Sequence, residues 1–375
     1  MIPKKKILIV SSAFYPENSP RSFRATELVK EMCRQGHQVT LLTYKKDAFH
    51  VPLEKEFAVL IKDLGKQRLT PIEIAKGWGP VLLFKRILNR ALLQLIEYPA
   101  IELMFKVKTA LKKESGYDLL ISIAVPHTIH WGVAWARTGE HPIAETWVAD
   151  CGDPYMGTIL DSFKKMFYFK YFEKSFCRKA DYISVPKIAM KENYYPEFRD
   201  KIIEIPQGFK FGDVQVKSGS FHNRVPHFAF AGTFIKTLRN PTPLLQYLVT
   251  LKKDFRFIVY TQTPDLLLPF KTGLGEKLEI KNYIPRPDLI QELSTMDFLI
   301  NLGYDPVHQA PSKLIDYYLA GRPTLSFNNN DINETLLDQF LEADYSQAFS
   351  YSNVEQYKIE NVCTTFLGLR HPDAS

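Results

Sequence analysis

The stretch HQAPSKLIDYYLAGRPTLSF, residues 308–327, decides the fold class. An apolar strand at 298–302 precedes it, and a loop then leads into a helix that ends at Gly321. Arg322 and Pro323 lead into another apolar strand. Strand, helix and strand in this order predict one βαβ unit, whose two strands are parallel.

The start of this helix has the chemistry of a nucleotide site. It follows the carboxyl end of a strand, which is where open α/β sheets bind ligands. Ser312 and Lys313 stand at the helix start, where free N–H groups favour phosphate and a lysine adds positive charge. Asp316, one turn further on, suits ribose hydroxyls. An ordinary crossover that carries an unrelated lysine is the alternative.

Composition predicts a globular protein of two domains. The chain has 375 residues, of which 45% are hydrophobic, enough for two cores. Its net charge of +7 divides into +10 over residues 1–210 and −3 over residues 211–375, which suggests that one half faces an anionic partner. The four cysteines lack CxxC spacing, and no apolar run is long enough to span a membrane. We therefore expect a reducing cytoplasmic location and no zinc site.

Strands and helices alternate along both halves of the chain. Predicted strands of the first half lie at 6–12, 38–44, 118–123, 142–148, 181–185 and 202–206. Those of the second half lie at 227–232, 255–261, 278–283, 297–302 and 323–327. This pattern predicts an α/β protein with two Rossmann-like, doubly wound domains facing a central cleft. We place the domains at 1–212 and 213–350, followed by a C-terminal helix within 351–375 that crosses back to the first domain or packs on its own.

The 308–327 stretch resembles the donor-binding segment of retaining glycosyltransferases of family 4, which have the two-domain GT-B architecture. That family shows a glutamate, seven residues, a second glutamate and then Gly-x-Pro. Asp316 stands at the second acidic position and GRP (321–323) matches the ending, whereas His308 replaces the first glutamate. The resemblance extends from Lys6 to about residue 330. It implies an acceptor-binding first domain and a second domain that binds a nucleotide sugar.

Residues 15–43 resemble the opening of that family, and GHQV (36–39) matches its Gly-His-x-Val turn. The paired glycines of its flexible loop are missing, because the loop here reads NSPRS (18–22). We expect Ser19 and either Arg21 or Arg24 to contact the acceptor or a phosphate instead. A solvated helix start is the alternative for these residues.

Polar residues follow two further predicted strands of the first domain. His127 resembles the strand-end histidine that the family places near the donor sugar, and His130 is the competing candidate. Asp150 and Asp153 resemble an Asp-x-x-Asp-Pro pattern found in transferases of bacterial surface glycans. They could bind acceptor hydroxyls, with one accepting a proton, or they could simply cap a loop and begin a turn. No further ligand cluster supports a metal there.

The segment FAGTFIKTLRNP (230–241) resembles the family's Gly-Arg and Lys-Asn-Pro motifs, in which two cations hold the donor diphosphate. Gly232 and Arg239 match, but Thr233 stands where the first arginine often does, so Lys236 would have to supply the second charge. Tyr283 follows another strand and either stacks on the nucleobase or has a structural role.

Residues 76–113 combine eight Lys+Arg with two acids, and large apolar side chains lie between them. Pro99 is predicted to break the segment into two helices. Basic amphipathic helices bind membrane surfaces. A core helix with a solvated basic edge is the alternative.

The resemblance implies an enzyme that moves a sugar, with retention, from a nucleoside diphosphate to a hydroxyl of a glycan, lipid-linked at the inner face of a bacterial membrane. Arg239, Lys313 and the helix N–H groups would stabilise the leaving diphosphate, so we expect no metal or other cofactor. His127 would position the sugar, and Asp150 or Asp153 the acceptor. We expect no nucleic-acid partner. A nucleotide-sugar epimerase of the same architecture and a non-catalytic glycan-binding descendant are the alternatives.

Overall fold

The computed structural model describes residues 3–74, 79–157, 164–214, 216, 223–236, 239–303, 312–327 and 331–371. The chain forms two compact units. The N-terminal unit comprises residues 1–209 together with 359–375, and the C-terminal unit comprises residues 210–358. Each is an α/β unit built on a parallel sheet, as the sequence predicts.

The N-terminal unit contains a seven-stranded sheet. Its elements, in chain order, are β1 (Lys6–Ser11), α1 (Pro20–Arg34), β2 (Gln38–Thr43), α2 (Asp47–Phe57), β3 (Leu60–Asp63), α3 (Pro80–Ile96), α4 (Ile101–Leu111), β4 (Tyr117–Ile123), α5 (Thr128–Ala136), β5 (Ala144–Asp150), α6 (Phe169–Lys179), β6 (Tyr182–Val185) and β7 (Ile202–Glu204). The strand order is β3-β2-β1-β4-β5-β6-β7. Apolar side chains cover both faces of this sheet, which is why its strands read as continuous hydrophobic runs.

The C-terminal unit contains a five-stranded sheet in the order β10-β9-β8-β11-β12. Its elements are β8 (His227–Ala231), α7 (Thr242–Thr250), β9 (Arg256–Tyr260), α8 (Leu268–Leu274), β10 (Leu278–Lys281), α9 (Arg286–Leu293), β11 (Phe298–Leu302), α10 (Ser312–Ala320), β12 (Thr324–Phe327) and α11 (Glu334–Leu341). Aromatic rings dominate one face. The Phe228 ring stacks on the Phe257 and Phe298 rings with centroids 4.9 and 4.7 Å apart.

The last helix, α12 (Ile359–Gly368), belongs to the N-terminal unit. Val362, Cys363 and Phe366 join the hydrophobic cluster that lies under α1. The Ile359 N–H donates to the Phe209 carbonyl at 3.0 Å. The chain thus returns to the first sheet after completing the second one.

Each sheet has one topological switch point. It lies between β1 and β4 in the N-terminal unit and between β8 and β11 in the C-terminal unit. Crossovers leave these strand pairs in opposite directions, which opens a crevice at the carboxyl ends of the strands. The residues just after these strands are therefore the candidates for a site.

The helix α1 begins at Pro20. The Ser22 N–H donates to the Ser19 side chain at 3.2 Å, and Pro20 occupies the first helical position. Both features favour a helix start. Phe23, in the first turn of this helix, is 40% exposed.

The segment 76–113 forms two helices that Pro99 separates, as predicted. The second, α4, buries Leu103, Met104, Val107 and Leu111. The first, α3, has no buried residue along its 17 positions. The core-helix alternative therefore describes α4 and does not describe α3.

Candidate active site

Lys313 lies at the start of α10, next to the switch point of the C-terminal sheet. Its side chain passes the turn after β8, where Gly232 has a φ of +142° and a Cβ would stand 3.7 Å from the Lys313 Cδ. The Lys313 Nζ lies 4.1 Å from the centre of the Phe230 ring. The structure thus brings together Gly232 and Lys313, two residues predicted to bind the donor.

The Lys313 ammonium group is buried. Among the described residues, no atom accepts a hydrogen bond from its Nζ. Burial, reinforced by repulsion from Arg239, holds the pKa of Lys313 well below its usual range. Burial also lowers the pKa of Arg239. Two desolvated cations side by side are costly unless an anion joins them, so this arrangement suits a ligand with two negative charges.

Tyr317 fixes the start of α10 against the sheet. Its hydroxyl accepts a hydrogen bond from the Ala231 N–H at 2.9 Å and donates one to the Ile300 carbonyl at 3.1 Å. These two partners lie on β8 and β11, which flank the switch point. Sequence reasoning missed Tyr317, although its position four residues after Lys313 places both on one helix face.

Asp316 is held by a residue that the motifs did not indicate. The Arg286 Nε donates to the Asp316 Oδ1 at 2.7 Å, and the Arg286 Nη2 lies 2.6 Å from the same oxygen. Burial raises the pKa of Asp316, and the Arg286 charge opposes that rise. A ribose that binds Asp316, as the sequence predicts, would share the carboxylate with Arg286.

The other donor-site candidates lie on several loops and helix starts of the C-terminal unit. Arg239 is half-buried in the loop after β8, which closes where Ile235 and Arg239 exchange backbone hydrogen bonds of 2.7 and 3.3 Å. Lys236 is exposed in that loop. Tyr283 follows β10 and is 47% exposed. Ser312 is the first residue of α10, and His308 lies outside the described residues.

In the N-terminal unit, Arg24 and Asp150 form a buried ion pair. The Arg24 Nε and Nη2 donate to the two Asp150 carboxylate oxygens at 3.0 and 2.8 Å. The Ser184 hydroxyl donates to the same carboxylate at 2.7 Å, and Arg24 also donates to the carbonyls of Ile205 and Pro206. All of these hydrogen-bond partners of Arg24 and Asp150 belong to the N-terminal unit itself. These contacts give both predicted site residues a structural role in joining α1, β5 and β6.

His127 and Asp153 meet at the neighbouring strand ends. The His127 Nε2 lies 2.9 Å from the Asp153 carbonyl, so Nε2 carries the proton and Nδ1 is an acceptor. Burial lowers the pKa of His127 to about 4. The ring is therefore neutral near pH 7, which suits hydrogen bonding to a hydroxyl better than proton transfer. His130 is fully buried between Ser122 and Cys151.

Arg21 reaches the same strand ends from the start of α1. A Cβ at Gly152 would overlap the Arg21 guanidinium, so a larger residue at position 152 would displace the Arg21 side chain from its present place. The Arg21 charge also contributes to the low pKa of His127. Ser19 acts as the cap of α1. Arg21, Gly152 and His127 thus form one cluster, although no sequence motif had indicated Gly152.

Glu173 anchors the loop that follows β5. Its carboxylate accepts hydrogen bonds from the Tyr155 N–H at 2.8 Å and from the Met156 N–H at 3.2 Å. Burial raises its pKa. Sequence reasoning missed this residue, since a single glutamate in an amphipathic helix reads as a surface position.

Two kinds of feature are absent from the described residues, a metal-binding cluster and a membrane-spanning helix. The described residues contain no group of three or more His, Cys, Asp or Glu side chains arranged to hold a metal ion. None of the described helices is both long and apolar enough to cross a bilayer.

Comparison with known proteins relates this chain to solved glycosyltransferase structures. A glycosyltransferase from Rickettsia africae ESF-5 is 14% identical with a TM-score of 0.58, and the match covers 97% of this chain and 94% of that one. A mutant of S. aureus TarM, in complex with Fondaparinux, alpha-GlcNAc-glycerol and UDP, is 11% identical with a TM-score of 0.57, over 97% and 100% of the chains. Anabaena Alr3699/HepE, in complex with UDP and glucose, is 11% identical with a TM-score of 0.51, over 98% and 95%.

The fold is therefore the GT-B fold of glycosyltransferases, two α/β domains with parallel sheets of seven and five strands. No protein-family model matches the chain, and no curated protein matches its sequence. At these identities the likeness establishes the fold, and function has to be argued from the site.

Proposed function

We propose that this protein is a glycosyltransferase that moves a sugar from a nucleoside diphosphate to a hydroxyl of a glycan acceptor. The observation that carries the proposal is the buried ammonium group of Lys313, for which no described residue accepts a hydrogen bond, beside Arg239 and Gly232. A diphosphate supplies the charge that this pair of cations needs. Solved relatives of the same fold support the choice, since HepE is in complex with UDP and glucose and TarM with UDP.

The chemistry assigned to the C-terminal unit is stabilisation of the leaving group. As the bond between the anomeric carbon and the diphosphate oxygen breaks, its electron pair remains on the diphosphate. Lys313, Arg239 and the N–H groups at the start of α10 would stabilise that charge without any metal. In the retaining version that we favour, the acceptor oxygen bonds to the same face of the sugar and its proton passes to the leaving phosphate.

The N-terminal unit would bind the sugar and the acceptor. The neutral His127 ring, with Nδ1 as an acceptor, would take a hydrogen bond from a sugar hydroxyl. Asp153 and Arg21 belong to the same strand ends and would orient the acceptor, while Arg24 and Asp150 hold these ends together. A lipid-linked acceptor at the inner face of a bacterial membrane fits the basic balance of this half of the chain.

The test is donor turnover by the full-length enzyme. A thermal-shift screen of nucleoside diphosphate sugars first identifies the donor, because a ligand that binds only the native state raises its stability, by about 2.7 kcal/mol at 100 times Kd. We then expect Lys313→Ala and Arg239→Ala each to lower kcat by roughly 10²–10³. Lys252→Ala, an exposed cation of the same unit, is the matched control.

Each outcome of that experiment has a distinct meaning. Near-normal turnover in both variants would contradict the proposal. Binding of the donor that depends on Lys313, without turnover on any acceptor, would favour the non-catalytic descendant. Conversion of the donor in the absence of an acceptor would favour the epimerase.

A further inference from the structure

The helix α3 presents an apolar face outward, which is the reverse of an ordinary surface helix. Phe84, Ile87, Leu88, Ala91 and Leu95 follow the i, i+3, i+4, i+7, i+11 spacing that places side chains on one helix face. Phe84 is 64% exposed and Ile87 59% exposed. Val81 and Leu83, at the first turn, are 69% and 60% exposed. Leaving so many large apolar groups in water is costly, which indicates that something covers them.

Aromatic side chains extend this face beyond α3. The Tyr168 hydroxyl donates to the Leu95 carbonyl, and the Gln94 side chain donates to the Lys164 carbonyl. These bonds fix the start of α6 against the end of α3. There Phe167 and Tyr171 are again largely exposed. We call the outward face of α3 together with Phe167 and Tyr171 the α3 face.

Positive charges accompany the α3 face. Lys85 and Arg86 are exposed on α3, and the sequence of this helix contains no acidic residue. The Lys170 Nζ lies 5.1 Å from the centre of the Tyr171 ring. Apolar and aromatic groups on one face with cations beside them are what an anionic bilayer surface binds.

A second copy of the chain fits this surface less well. Most homodimers are symmetric, so a dimer centred on α3 would bring the exposed Lys85 side chains of both copies together. Like charges placed opposite one another weaken such an interface. An anionic lipid surface removes this repulsion.

We propose that the α3 face is a membrane-docking surface that inserts Phe84, Ile87 and their neighbours into the interface of an anionic lipid bilayer. The apolar side chains enter the boundary between headgroups and acyl chains, while Lys85 and Arg86 remain among the anionic headgroups. This attachment lies on the surface of the bilayer, and it does not depend on the proposed glycosyl transfer.

The test is cosedimentation of the full-length protein with vesicles of phosphatidylglycerol and phosphatidylcholine. We expect binding to these vesicles, weaker binding to phosphatidylcholine alone, and loss of affinity from about 0.1 M to about 1 M salt, over which the Debye length shortens from about 10 to about 3 Å. The double variant Phe84→Ser/Ile87→Ser should bind roughly tenfold more weakly or worse. Lys85→Gln/Arg86→Gln should weaken binding and flatten its dependence on salt.

The matched control is Val249→Ser/Leu268→Ser, which removes two exposed apolar side chains from helices of the C-terminal unit and should bind like the original protein. Unchanged melting temperatures establish that all the variants fold. Equal vesicle binding by the Phe84/Ile87 variant and the control would overturn the proposal. A second result would also overturn it. In that case the original protein forms a dimer in analytical ultracentrifugation and does not bind vesicles, whereas the Phe84→Ser/Ile87→Ser variant is a monomer.

Discussion

The two units treat ionisable side chains at the ends of their strands in opposite ways. In the N-terminal unit, Arg24 and Asp150 satisfy one another through two hydrogen bonds, and His127 is kept neutral. In the C-terminal unit, Lys313 is buried next to Arg239, and no described atom accepts a hydrogen bond from its ammonium group. We infer that a buried charge with internal partners stabilises the fold, whereas a buried cation with no hydrogen-bond acceptor among the described residues is available to a ligand.

The largest effect is expected when one member of the Arg24–Asp150 ion pair is removed. We expect Arg24→Met to lower the free energy of unfolding by about 3–5 kcal/mol, because it leaves the Asp150 carboxylate buried and uncompensated. The double variant Arg24→Met/Asp150→Leu should recover part of that loss. Urea unfolding measures both values. A single variant as stable as the original protein would mean that the pair has no structural role.

Lowering the pH should lower the free energy of unfolding, because His127 is neutral in the folded state. The pKa of His127 is about 4 in the folded state, compared with 6.5 for an unperturbed histidine. The unfolded state therefore binds a proton more readily, and the contribution of His127 to stability is complete above pH 6.5 and is lost as the pH falls towards 4. The loss amounts to about 3 kcal/mol.

Buried His130, whose pKa is also lowered well below 6.5, acts in the same direction. The free energy of unfolding measured across this pH range should therefore fall less steeply for His127→Gln than for the original protein. Parallel pH profiles for the two proteins would contradict the assignment of a neutral, buried His127.

In the C-terminal unit, replacing a buried cation by methionine should change the free energy of unfolding in the opposite direction. Lys313→Met removes a buried cation whose ammonium group has no hydrogen-bond acceptor among the described residues, so we expect the free energy of unfolding to rise by about 1–3 kcal/mol. Binding of UDP, measured by calorimetry, should be lost at the same time. Lys252→Met, which replaces an exposed lysine of the same unit, is the control for both measurements. A destabilised Lys313→Met would show that the lysine serves the fold.

Ligand binding should also depend on pH in a way specific to Lys313. Its pKa is lowered in the free protein, and a bound diphosphate would raise it, so binding takes up a proton. Once the diphosphate is fully ionised, affinity should fall by up to about tenfold per pH unit above the pKa of Lys313 in the free protein, equivalent to about 1.4 kcal/mol. Lys313→Arg should abolish this slope, because arginine stays charged. Calorimetry in buffers of different ionisation enthalpy measures the proton uptake.

The fold was predictable because its signals are local. The predicted strands all occur, with ends shifted by at most two residues, since buried parallel strands read as short apolar runs between helices. The strand β3 was missed, because it is a four-residue strand at the sheet edge whose Leu60 is exposed. Only one of its four residues is buried, which is too few to leave a hydrophobic pattern.

Site residues could be predicted from the sequence only where a single segment contains the signal for them. Gly232 could be found because it follows a strand directly, and Lys313 because it stands at the helix start of one βαβ unit. Arg286 could not be linked to Asp316 from the sequence, because the two lie 30 residues apart. The partnership of Arg24 with Asp150 spans 126 residues. Pairings of this kind depend on which strands become neighbours, and a single sequence does not contain that information.

The Tyr317 hydroxyl makes the docking of α10 on the sheet measurable by hydrogen exchange. The Ala231 amide proton points at this side-chain oxygen, so its protection from hydrogen exchange depends on α10 remaining docked against β8. Opening of the helix start would accelerate exchange at this one position while the amides of the central strands stay protected. Ala231 is therefore a built-in reporter of order in this pocket, readable by NMR or mass spectrometry before any substrate is known.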